Sequence, residues 1–235
     1  MASATTNEDI TATRSRARIF FELGFTYGLI MAVIWTPRPW QKVLWWFAAG
    51  AVLVISGLSF RGLKAMGLRR DNFLQSLWVV GAALLVAAIA VAVAVQLNTL
   101  RLPNGGVTAF FMTYCAYALW ACIQQLLLQA FFLPRFLGLL QGGRGIAAAL
   151  LAAGIFALAH LPNPILTPVT LIWGFAACVL FLRYRNLYPL ALAHAIFGIT
   201  IAITIPGPVD HNMRVGLGYL TYGHHRHLPV PSTQP

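Results

Sequence analysis

Carboxylates are nearly missing from this chain. Among 235 residues only Glu8, Asp9, Glu22, Asp71 and Asp210 are acidic, against 16 Lys and Arg. Charged residues of both signs make up 9% of the sequence, where a soluble domain carries about a quarter. With 59% hydrophobic residues and a mean hydropathy of +0.75, this shortage excludes an ordinary soluble globule. Cysteine is scarce as well. Cys115, Cys122 and Cys178 form an odd set, each inside an apolar run. That pattern argues against a disulfide framework and for small apolar packing residues. Short segments of alternating polarity are absent, which excludes a transmembrane β-barrel. No stretch outside the apolar runs is long enough to fold alone. The first run follows Arg14, Arg16 and Arg18 without a convincing signal-peptide cleavage site.

What is present is a series of seven apolar runs, at about 18–37, 42–60, 74–97, 107–134, 144–161, 165–182 and 188–206. They predict an all-α, polytopic transmembrane helical bundle of about seven spans, within a range of six to eight. An eighth, half-length segment near 128–140 would shift the count. Residues 1–17 read as a polar cytoplasmic tail, 18–206 as the membrane domain and 207–235 as a polar tail containing histidine. The net charge of +11 does not point to nucleic acid, because the basic residues are scattered over loops between spans. Anionic lipid head groups are their natural partner. Arg14, Arg16, Arg18, Arg61, Lys64, Arg69, Arg70, Arg135, Arg144, Arg183 and Arg185 fall on one side of the bilayer. Arg38, Lys42, Arg101, Arg214 and Arg226 fall on the other. The positive-inside rule then places the N-terminus in the cytoplasm, and a bacterial inner membrane is the expected location.

Polar side chains inside the spans need a reason, because hydrocarbon does not solvate them. Gln124, Gln125 and Gln129 share one run, His160 ends another and His194 lies in the last. Gln125 and Gln129 are one helical turn apart and share a face. The plain explanation is hydrogen bonding between helices. His160 falls near the outer end of its run while Gln124 and His194 lie deeper, so a shared site needs a shifted boundary or a broken helix. Pro162 and Pro164 make a break plausible, since neither has a backbone donor. Glu22 is expected to snorkel or to pair with Arg18, four residues earlier on the same face. Trp35, Trp40, Trp45, Trp46 and Tyr188 read as an aromatic belt at the membrane interfaces. The run 147–154, rich in Ala and Gly, suits close helix packing. His211, His224, His225 and His227 read as a wet, weakly basic tail, since no Cys or carboxylate accompanies the later three.

In chain order the polar elements are Gln124-Gln125 with Gln129, then Phe156-x-x-x-His160-x-x-Asn163, then His194 with Gly198. Over about residues 107–206 this series resembles the CAAX protease and bacteriocin-processing family of intramembrane proteases. That family shows E-E-x-x-x-R, then F-x-x-x-H, then H-x-x-x-N on successive helices. The chain departs from the pattern where Gln124 and Gln125 replace the Glu pair, Gln129 replaces Arg, and Gly198 replaces the last Asn. Both acids and the base are absent together, so no buried charge is left without a partner. The result is a neutral version of the site.

The resemblance implies a hydrolase acting on a membrane-embedded peptide or a lipidated substrate. In the family a Glu activates water, and His and Asn groups stabilise the oxyanion. Gln cannot accept a proton, so the base here would be His160 or His194. Gln124, Gln125 and Asn163 would bind a carbonyl or its oxyanion, and Gln129 and Phe156 would line the substrate site. No metal is expected, because two histidines without carboxylate or thiolate make a poor zinc site, and no other cofactor is indicated. Two other readings stay open: an enzyme on a small lipophilic, isoprenoid-like molecule, and a catalytically silent membrane protein with a binding or immunity role.

Overall fold

The computed structural model describes residues 7–60, 62–70, 72–140 and 144–223, with side chains from residue 15 onward. The chain runs through α1 (Asn7–Trp35), α2 (Trp40–Leu58), the short α3 (Phe73–Ser76) and α4 (Trp78–Gln96). It continues through α5 (Gly106–Leu126), a π-helical stretch (Leu127–Phe132) and α6 (Leu133–Leu139). Then come α7 (Gly145–Leu158), α8 (Leu166–Tyr184), α9 (Tyr188–Thr204) and the short α10 (Gly207–Asp210) and α11 (Gly216–Leu220). No strand occurs among the described residues. Five helices are long and apolar enough to cross a bilayer, and α7 and α9 are shorter apolar helices. The seven apolar runs of the sequence correspond to these seven helices. Helix α1 takes in residues 7–17, which the composition had set apart as a tail. His224, His225 and His227 lie outside the described residues.

The segment near 128–140 is not a separate half-span. It continues α5 through the π-helical turn into α6, giving one rod of 34 residues, Gly106–Leu139. The wide turn has a local cause. Pro134 sits in the first turn of α6, brings no N–H, and its ring crowds the carbonyl four residues earlier. Widening the helix just before it relieves that clash. The widened turn follows directly on Gln124 and Gln125.

Helix α9 is the hub, packing against α4, α5 and α8. Small side chains let α7 and α8 approach closely. Ala148, Ala149, Ala152 and Ala153 are fully buried on α7, facing Ala177, Cys178 and Phe181 on α8. Gly174 belongs to the same contact. A Cβ there would lie 3.1 Å from Phe156 Cδ1 and 3.4 Å from Ala153 Cα. Cys115 and Cys122 point outward, and Cys178 is a buried packing residue. Trp40 and Trp46 are well exposed, at 69% and 72%, as an interfacial belt requires.

The depth of His160 follows from the length of α7. This helix has 14 residues and ends at Leu158, before the boundary read from hydropathy. The turn after it is partly covered, with His160 and Asn163 buried, because residues 207–220 fold back over it. Gly216 N–H donates to Leu161 O at 2.7 Å, and the Asn163 amide donates to Asp210 O at 2.7 Å and Arg214 O at 3.0 Å. Gly216 has φ +54, and a side chain there would strike Ile34 of α1.

Candidate functional site

Residues from α5, α7 and α9 meet around one aromatic ring. Phe156 stands between the two histidines, its centroid 4.8 Å from that of His160 and 5.8 Å from that of His194, both edge-on. His160 and His194 are 9% and 5% exposed, and Gln125 and Gln129 are fully buried. Gln129 donates to Gln125 Oε1 at 3.3 Å, and Gln125 Nε2 in turn lies 3.1 Å from His194 Nδ1. The i, i+4 spacing read from the sequence thus becomes a hydrogen-bonded chain running from α5 into α9. Gln129 Oε1 is buried and has no partner among the described residues.

These bonds give the two imidazoles opposite faces. An amide nitrogen only donates, so His194 Nδ1 accepts from Gln125 and its proton sits on Nε2. His160 Nδ1 lies 2.7 Å from Phe156 O, an acceptor, so Nδ1 carries the proton and Nε2 keeps its lone pair. A neutral pair therefore offers one base and one donor. No formal charge is needed in surroundings that would penalise one.

The other expected site residues divide. Gln124 is half-buried beside this network and makes no hydrogen bond among the described residues. Asn163 is turned elsewhere. Its carbonyl oxygen accepts from Ile165 and Leu166 N–H at 3.0 and 2.9 Å, and its amide holds the chain at 210 and 214. It caps α8 and ties down the covering segment, with no donor left for a carbonyl at the histidines. Among the described residues no group of three His, Cys, Asp or Glu converges.

Charge is present in the bundle, away from the glutamines. Glu22 accepts from Arg18 at 2.7 Å, as its spacing suggested, and also from Arg135 at 2.7 and 2.9 Å. The Arg135 guanidinium lies 3.5 Å above the Phe131 ring and also donates to Phe131 O and Ser59 Oγ. This buried cluster joins α1, α6 and the end of α2. It is not legible in the sequence, where Arg135 reads as a loop cation.

Two further features were missed. Tyr117, two turns before Gln124 on α5, turns its ring against Gly198, and a Cβ at 198 would fall on its hydroxyl. Tyr117 Oη has no hydrogen-bond partner among the described residues. One turn farther along both helices, Tyr114 and Ala202 line a cavity of about 310 Å³ with Arg101, Asp210, Asn212 and Met213. Arg101 there donates to the carbonyls of Ala202 and Ile205 and to Asn212 Oδ1. The spacing from Tyr117 to Gln124, with a glycine one turn after His194, is the signal that could have found the first feature.

Residues 106–200 match the family model described as Type II CAAX prenyl endopeptidase Rce1-like. No curated protein and no solved structure matches the chain. The matched stretch begins at the first residue of α5 and ends within α9. It takes in the glutamines, Phe156, both histidines and Gly198, and it leaves out α1 to α4. Residues 106–200 of this integral, multi-pass membrane protein are thus similar to the CAAX prenyl endopeptidases of the CAAX protease and bacteriocin-processing family.

Proposed function

We propose that the protein hydrolyses a membrane-embedded peptide or lipidated substrate, with His160 as base and His194 as donor to the oxyanion. One observation carries this reading: the two imidazoles share Phe156 as a wall and are held in opposite tautomers by Phe156 O and Gln125. Water attacks the substrate carbonyl carbon and passes a proton to His160 Nε2. The carbonyl oxygen gains the electron pair and accepts from His194 Nε2–H, with Gln124 as a further donor. Collapse breaks the C–N bond, and His160 returns its proton to the leaving amine. Phe156 and Gln129 shape and hold the site. The N-terminus is cytoplasmic in this reading, as the basic loops suggest, and the membrane is a bacterial inner membrane.

A quenched prenylated peptide in nanodiscs tests the proposal. Wild type releases the fluorophore, and the His160→Ala, His194→Ala double mutant does not. Turnover retained in a folded double mutant overturns it.

A silent binding protein is the second reading. The observation that favours it is the complete burial of Gln125 and Gln129, whose bonded amides resemble an inter-helix brace. It predicts peptide or lipid bound by wild type with no product formed. An enzyme on a small lipophilic molecule would show instead as a changed lipid profile in membranes that contain the wild type.

A further inference from the structure

We propose that Tyr117 is a further catalytic residue, its hydroxyl donating to the substrate carbonyl oxygen beside His194 Nε2. The proposal rests on the hydrolase reading above. Four observations meet at this residue. The phenol points into the seam between α5 and α9, and only a glycine at 198 leaves room for it. Gly198 is one turn from His194 on α9, about 6 Å along the axis. The side chain is half-buried, and its hydroxyl makes no hydrogen bond among the described residues, although a tyrosine O–H against apolar neighbours usually finds a partner. The cavity beside Tyr114 and Ala202 opens on the same two helix faces one turn beyond, so Tyr117 stands between that cavity and the histidines.

A phenol that only filled space would not need its oxygen here. Neither Gly198 nor Ala121, one turn along α5, offers a side-chain acceptor to bond it. A donor held ready without a protein acceptor suits an acceptor that arrives with the substrate. Its bond strengthens as the carbonyl oxygen gains charge in the tetrahedral state. Tyr117 keeps its proton throughout, and no bond to it forms or breaks.

The test compares variants in nanodiscs on the prenylated reporter peptide. Tyr117→Phe keeps the ring and removes the donor. It should lower kcat by about 10- to 100-fold with KM within about twofold and an unchanged melting temperature. Tyr117→Ala should lose at least as much. Adding Gly198→Asn to Tyr117→Ala places an amide donor in the vacated space and should recover about tenfold. Wild-type kcat in Tyr117→Phe, or a folded double variant no better than Tyr117→Ala, overturns the assignment. Binding of a peptidyl trifluoromethyl ketone, whose hydrate mimics the tetrahedral state, is read in parallel. If wild type turns over nothing but binds the ketone, equal binding by Tyr117→Phe overturns the donor role, and binding weakened about tenfold supports it. If wild type neither turns over peptide nor binds the ketone, the hydrolase reading falls and takes this proposal with it.

Discussion

Gln125 holds His194 from the opposite helix, its amide nitrogen 3.1 Å from Nδ1. This single contact decides which face of the imidazole carries the proton. Gln125→Leu removes it without adding charge and leaves the Gln129 amide without its acceptor. Turnover should fall by about tenfold or more, as expected when an orienting bond is lost. Nitrogen-15 spectra of labelled histidine should show His194 changing from one tautomer to a mixture. An unchanged spectrum would mean that something else fixes the ring.

Gly174 should be as intolerant as a catalytic residue, for a packing reason. A methyl group there presses on Phe156, the wall the two histidines share. Gly174→Ala is expected to cost about 1–3 kcal/mol by overpacking and to reduce turnover through the displaced ring. Combining it with Phe156→Leu should return much of the stability but not the activity, as melting and rate measurements on the same samples would show.

Glu22 and Arg135 are each 8% exposed and depend on one another. Glu22→Gln removes the carboxylate that faces the buried guanidinium, for a loss of up to about 3–5 kcal/mol. Replacing both residues, with Leu and Met, should recover most of that loss. Thermal unfolding of the two single mutants and the double mutant measures the coupling. Additive losses would show that the pair is not a unit.

Asp210 gives the fold a pH dependence outside the spans. Burial raises its carboxyl above the ordinary range, and the Asn212 backbone N–H and the Arg101 charge pull it partly back. Folding therefore favours the protonated form. That contribution is complete below the ordinary carboxylate range and is lost as pH rises through the shifted value. The melting temperature should fall as pH rises above the ordinary carboxylate range for wild type and stay flatter in Asp210→Asn. Identical slopes for the two proteins would contradict the assignment.

The bundle was legible because hydropathy is additive along a helix, and seven apolar runs became seven apolar helices. The glutamine chain was legible for a related reason: positions 125 and 129 must share a face on any helix. What could not be read depends on neighbours distant in sequence. Asn163 matched a motif, yet its amide meets Asp210 and Arg214 because the chain folds back over the LPNP turn. Arg135 looked like a cytoplasmic loop cation until α1 brought Glu22 beside it. Gly198 looked like a lost side chain, and the structure fills its place with Tyr117 from another helix.

Helix α7 is 14 residues long, which gives a rise of about 21 Å against about 30 Å of hydrocarbon. About 9 Å of the bilayer is therefore crossed on that flank by turn backbone and the segment folded over it. Lipid beside such a mismatch thins to meet it. A bilayer that thinned there would bring its surface closer to His160. In the proposed hydrolase, water and a substrate's polar backbone would then have a shorter way to travel to His160 than through a full-length wall.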